Sequence, residues 1–189
     1  MLEQKALGRI VSITVTCQHT GGLAFNHDNW RFQKETNPGG PLFQCGIHKI
    51  DILLYLFGKG HWKSGYVQRQ ITETQTEDSY VLLGDFDNIQ TTFHSSYVSC
   101  YRQAMEIYGT EGNLVIEEHP DRLIHKETNL NARREPTINL TGCIPKSDAE
   151  KNSLIDFSRA VREQRQPLVN GRNGLEALEI VFEAVKICL

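Results

Sequence analysis

A chain of 189 residues that is 39% hydrophobic and 23% charged is large enough for one folded domain and is not disordered. A net charge of −3 and a pI near 6.2 leave no basic footprint for nucleic acid or an anionic membrane. The five cysteines (Cys17, Cys45, Cys100, Cys143 and Cys188) are odd in number, widely spaced and free of CxxC pairs, which speaks against a disulfide framework or zinc site and for a reduced, cytoplasmic setting.

In chain order, the N-terminal "MLEQKALGRI" lacks the apolar core of a signal peptide, and no apolar run reaches the roughly eighteen residues of a membrane helix. "GRIVSITVTCQ" alternates, with Val11, Ile13, Val15 and Cys17 on one face and Ser12, Thr14, Thr16 and Gln18 on the other, the pattern of a half-buried strand. Residues 19–41 read as a long polar loop, and loops of that length inside a domain tend to be functional. Residues 41–57 read as a helix ended by Gly58 and Gly60.

A strand-rich section follows. "KSGYVQRQIT" and "DSYVLLGDF" read as strands, and Asp87–Asn88 is a hairpin turn signal. "IQTTFHSSYV" then places Ile89, Thr91, Phe93, Ser95 and Tyr97 on one face. "QAMEIYGT", "NLVIEE" and "RLIHKE" continue the meander through turns at Glu111–Gly112 and Pro120. No helix intervenes, so the sheet is expected to be largely antiparallel. Residues 126–147 read as polar and irregular. "SDAEKNSLIDFSRAVREQRQP" reads as a helix with Ser147 as N-cap, Glu150 at capping-box spacing, and Leu154, Phe157 or Ser158, and Val161 on the helical period. In "NGRNGLEALEIVFEAVKICL", Leu175, Leu178, Phe182 and Val185 form a helical stripe. The sum is an α+β fold: a single domain over 1–189 with an open, largely antiparallel β-sheet and helices packed on one face.

Motifs that announce chemistry are scarce. The nearest match to GxGxxG is "GKGHWK" at Gly58, but Lys63 stands where the third glycine belongs, and the stretch follows a helix instead of a strand. There is no Walker A sequence, HExxH or GxSxG, and so no metal site is expected. The informative stretch is "NPGGPLFQCGIHKIDILLYLFG", residues 37–58. On a helix, Gln44, His48, Asp51 and Tyr55 follow one another at spacings of three or four and share a face, with Ile47, Ile50, Leu54 and Phe57 opposite. Gly39 and Gly40 permit positive φ or close approach of a ligand, and Pro41 suits a first helical turn. Taken alone, this stripe fits a satisfied polar pair on the exposed side of an amphipathic helix better than it fits half of a site.

Five stretches in order tip that balance: "LGRIVSI" at 7–13, "WR" at 30–31, "GGPLFQCGIHKIDILLYLFG" at 39–58, "YGTEGNL" at 108–114 and "PLVNGRNGLEALEIVFEAV" at 167–185. Together they resemble the C-terminal domain of the glucose–fructose oxidoreductase / inositol dehydrogenase (Gfo/Idh/MocA) family, over nearly the whole chain. The resemblance implies a substrate-binding and dimerisation domain whose partner, an N-terminal Rossmann domain that binds NAD or NADP, is absent from these 189 residues. The parent protein is then expected to be a cytoplasmic NAD(P)-dependent dehydrogenase acting on CH–OH groups of a sugar, cyclitol or related polyol, and a homodimer or higher homo-oligomer through the sheet. The 189 residues alone are expected to bind no NAD and to be inactive.

The resemblance assigns His48 as the catalytic residue that hydrogen-bonds the reacting hydroxyl and passes its proton. It assigns Gln44, Arg31, Gly39, Gly40 and Asp51 to substrate binding. Many family members carry aspartate where this chain has Gln44, and glutamine can hydrogen-bond but cannot act as a base. The alternative is therefore a sugar-ligand sensor or a structural dimerisation module without catalysis. The sequence names neither the substrate nor the choice between NAD and NADP.

Overall fold

The computed structural model describes residues 2–3, 5–118, 122–127, 137–140 and 146–188. The turn at Pro120, the arginines at 133 and 134 and Cys143 lie outside them. Strand β1 (Ile10–Gln18) opens the fold and is followed by two short 3-10 turns within the 19–41 segment. A π-turn (Leu42–Gly46) then runs without a break into helix α1 (Ile47–Phe57). Strands β2 (Gly60–Gln68), β3 (Ser79–Phe86), β4 (Ile89–Ser96), β5 (Arg102–Gly109), β6 (Gly112–Glu118), β7 (Arg122–Glu127) and β8 (Thr137–Leu140) complete the sheet. Helices α2 (Lys146–Glu163) and α3 (Gly171–Cys188) close the chain.

The eight strands lie in the order β2-β3-β4-β1-β5-β6-β7-β8. All neighbours are antiparallel except β1 and β4, which run parallel because α1 and the β2–β3–β4 meander intervene between them. Strand β8 falls within residues expected to be irregular; its four residues are too few to show an alternation, and it exists by pairing with β7. The hairpin at Asp87–Asn88 has φ of 51° and 61° at its two central residues, the left-handed pair that a two-residue type I′ turn requires and that Asn and Asp tolerate best.

One face of the sheet carries the core. Ile13, Val15 and Cys17 of β1, Tyr80, Leu82 and Phe86 of β3, Phe93 of β4, and Met105 and Ile107 of β5 are buried there. Each such apolar side chain contributes about 1.5–3 kcal/mol on burial. Val11, expected among them, is half exposed, because the β1–β5 register shifts between Ile10 and Ser12 and turns its side chain away from the core. Trp62 packs edge-on to Phe86 and Phe93, with centroids 5.5 and 5.7 Å apart.

Helices α1 and α3 form the covering layer and pack on each other, with α3 lying over β2. The buried stripe of α3 is Ala177, Ile180, Val181, Ala184 and Val185, whereas Leu175 and Phe182 of the expected stripe stay exposed. A Cβ on Gly65 of β2 would stand 2.4 Å from Cys188 Sγ, so the end of α3 approaches β2 closely where the strand has no side chain. Helix α2 does not join the layer. Among its described residues only Ala160 is buried, and Leu154, Phe157 and Val161 are exposed. It begins one residue ahead of the expected N-cap Ser147, whose side chain is outside the described set. No helix among the described residues is long and apolar enough to cross a membrane.

Candidate functional site

Gly40 takes φ +47°, and a Cβ there would lie 2.5 Å from the Glu77 carbonyl oxygen. Only glycine meets both demands, so the turn before the helix is held by its own packing. A Cβ on Gly39 would stand 3.2 Å from Val185 of α3. Pro41 follows with helical φ of −64°.

The next five residues are a π-turn, closed by the Ile47 N–H donating to the Leu42 carbonyl five residues back. Such a turn inserts one residue into a helix and often marks a functional position. The insertion also changes which side chains face inward. Leu42, Lys49, Ile50 and Leu53 are buried, while Ile47, Leu54 and Phe57 are half-buried. Lys49, unremarked in the sequence, is 8% exposed and ion-paired with Glu118 of β6. The pair ties the first turn of α1 to the half of the sheet that α3 does not cover.

The polar stripe has the order its spacing implies. Gln44 is half-buried in the π-turn, His48 is exposed on the first turn of α1, Asp51 is half-buried and Tyr55 exposed. No hydrogen bond among the described residues joins His48 to Gln44 or to Asp51, so the stripe is not a self-satisfied pair. Gln44 Nε2 is buried and has no hydrogen-bond partner. A buried amide left in that condition costs about 1–3 kcal/mol, which a ligand hydroxyl would relieve. Asp51 lines a groove of about 290 Å³ with Ile52, Tyr55, Leu168 and Val169. Arg31 stands apart. Its guanidinium lies over the Trp30 ring, 4.3 Å from the centroid, and its backbone N–H is capped by Asn29 Oδ1 at 3.0 Å.

Two groups missed by pattern reading adjoin this stripe. Cys17, at the end of β1, and His19, two residues on, both flank the thiol of Cys45. The Cys45 thiol is held below its ordinary range, chiefly by Cys17 and then by His19, and the Cys17 thiol is pushed up by Cys45 and by burial. The available signal was the i, i+2 placement of Cys17 and His19 on one face of the strand's end. Among the described residues, no group of three His, Cys, Asp or Glu side chains is placed to hold a metal ion.

Residues 1–115 match the family model of the GFO/IDH/MocA C-terminal domain. No curated protein matches the sequence. Among solved structures, the chain superposes with a TM-score of 0.87 on a protein of Desulfitobacterium hafniense DCB-2 provisionally assigned as an NADPH-dependent oxidoreductase, at 24% identity over 97% of this chain and 56% of that one. Levoglucosan dehydrogenase in complex with NADH and levoglucosan gives 0.82 at 23% identity, covering 99% of this chain and 59% of that one. An aldose–aldose oxidoreductase from Caulobacter crescentus, complexed with glycerol, gives 0.79 at 17% identity, over 98% and 56%. The chain thus spans under two thirds of each of these structures, and at such identities the likeness is one of fold.

Proposed function

The chain belongs to the GFO/IDH/MocA family, as its C-terminal domain, and from that premise we propose that it forms the substrate side of the cleft in an NAD(P)-dependent oxidoreductase of sugars, cyclitols or related polyols. The observation that carries this is Gln44 Nε2, buried and unpartnered in a π-turn one helical step before an exposed His48. The solved relatives' ligands, NADH, levoglucosan and glycerol, support the substrate class. The stretch "GKGHWK" joins the end of α1 to β2, helix to strand, and so lacks the strand–turn–helix context in which backbone amides hold a dinucleotide's phosphates. The hydride chemistry is the cofactor's, and its site belongs to the rest of the protein.

His48 hydrogen-bonds the reacting hydroxyl and takes its proton. Imidazole is the side chain suited to taking and returning a proton near neutrality. Gln44 donates its free amide N–H to a neighbouring hydroxyl. Arg31 and Asp51 are the further substrate contacts, and Gly39 and Gly40 shape the turn that presents Gln44. In the full-length protein, His48→Asn lowers turnover by about 10²–10⁴-fold, the usual share of acid–base catalysis. Unchanged turnover would overturn this role, and sugar binding without turnover in the wild type would favour the second reading, a sugar sensor, to which the glutamine at position 44 points.

The open face of the sheet is the proposed dimer surface. It exposes Tyr66, Val81 and Leu83 beside Thr14, Thr92 and His94. Apolar side chains gathered there on neighbouring strands fit a second copy of the chain.

A further inference from the structure

We propose that Lys49 and Glu118 are positioning residues for His48: their ion pair fixes how far helix α1 is turned about its axis, and so where the His48 ring stands. This deepens the role given to His48 above and rests on it. Lys49 touches no substrate in this scheme and acts through its neighbour.

The need for an anchor follows from how the helix starts. Neither the π-turn nor α1 has a side-chain cap at its N-terminal end, so the first turns lack the hydrogen bond that often fixes such an end. The residue inserted by the π-turn also changes the phase of the helix that follows. Packing holds one flank, where α1 lies against α3 and over β2 and β3. On the flank toward β6 the tie is polar: Lys49 Nζ donates to Glu118 Oε1.

Both ends of that tie have fixed places. Lys49 is 8% exposed, and an ammonium buried to that extent needs an anion against it. Glu118 ends β6 and pairs across the sheet with Gln103 of β5. Gln103 is buried in turn, and its Nε2 donates to the Gln18 carbonyl at the end of β1, at 3.2 Å. The carboxylate thus stands on a frame of three strands, β1, β5 and β6.

Consecutive helical residues point about 100° apart around the axis. With Lys49 held toward β6, the next side chain back, His48, is turned outward, and it is exposed. Helical side chains reach roughly 5–6 Å from the axis, so a rotation of about 10° moves the imidazole by about 1 Å. A displacement of that size at a reacting group can cost about 10²-fold in rate.

The test removes both charges together, Lys49→Met with Glu118→Gln, so that no buried ion is left unpaired. The first readout needs no substrate. In the 189-residue chain, amide hydrogen exchange over residues 44–49 is expected to be about tenfold faster in the double variant, with exchange along α3 unchanged. Equal protection over 44–49, or a loss spread over the whole chain, would overturn the anchor. The second readout is kinetic, in the full-length protein, with NAD or NADP and with glucose, myo-inositol and levoglucosan as probes. On any probe that the wild type oxidises, the double variant should lose about 10–100-fold in kcat with KM changed less than about threefold. Lys49→Arg, which keeps the cation, should stay within about threefold of wild-type kcat. An unchanged kcat in the double variant, or a Lys49→Arg as slow as the double variant, counts against positioning. If the wild type oxidises none of the probes, exchange over 44–49 alone decides the pair, so a failed polyol reading and a failed anchor are told apart.

Discussion

His48 and Gln44 carry the functional reading, but the charges around them carry part of the fold. Lys49, next to His48, is buried and held by Glu118, so two adjacent residues of one helix serve opposite ends. On the far side of the sheet Glu117 is 9% exposed and gripped by Arg102 at 2.7 Å and by Arg122. The hydrogen bond from Arg102, followed by that from Arg122, lowers the Glu117 pKa. A carboxyl with a lowered folded-state pKa stabilises the native chain above its unfolded value of about 4.3, and that contribution is lost as the pH falls through the folded value. Both arginines are half exposed, so solvent screening keeps the effect modest. Melting temperature against pH should therefore drop less steeply below about pH 4.5 in Glu117→Gln than in the wild type. Parallel profiles would show that the trio contributes nothing to acid stability.

At the scale of elements, residues 41–57 were legible as a helix and their polar stripe as a stripe. The π-turn was not, because one inserted residue leaves no mark in a pattern already mixed with Gly, Cys and Gln. It shifts the buried set toward Leu42, Lys49, Ile50 and Leu53. The turn rests on Gly40. Gly40→Ala adds the left-handed penalty of about 1–2 kcal/mol, and its Cβ would press on the Glu77 carbonyl. The expected loss is above about 2 kcal/mol in urea unfolding, and a loss below about 0.5 would mean that the turn relaxes without strain. The α3 stripe makes a related point. Periodicity located the helix, but Ala177 and Ala184, not Leu175 and Phe182, are buried.

For the whole molecule, the sheet is covered on one side by α1 and α3 and open on the other, and the apolar period of α2 remains exposed. If the open face receives a second copy, light scattering of the chain gives twice its 21.5 kDa. Val81→Asp with Leu83→Asp should restore the single mass without unfolding, because both side chains are exposed. A monomer in the wild type at micromolar concentration would remove the sheet as a self-association surface.

The sequence by itself determined the α+β class, seven of the eight strands, all three helices, the Asp87–Asn88 turn and the stripe of Gln44, His48 and Asp51. These depend on spacings of two, three and four residues, which a linear pattern records. Tertiary structure alone decided that β1 runs parallel to β4, that β8 forms, and that Lys49 is buried against Glu118. Such meetings join residues tens of positions apart, and they are selected by packing volume and by the closure of the intervening loops, neither of which leaves a local period in the chain.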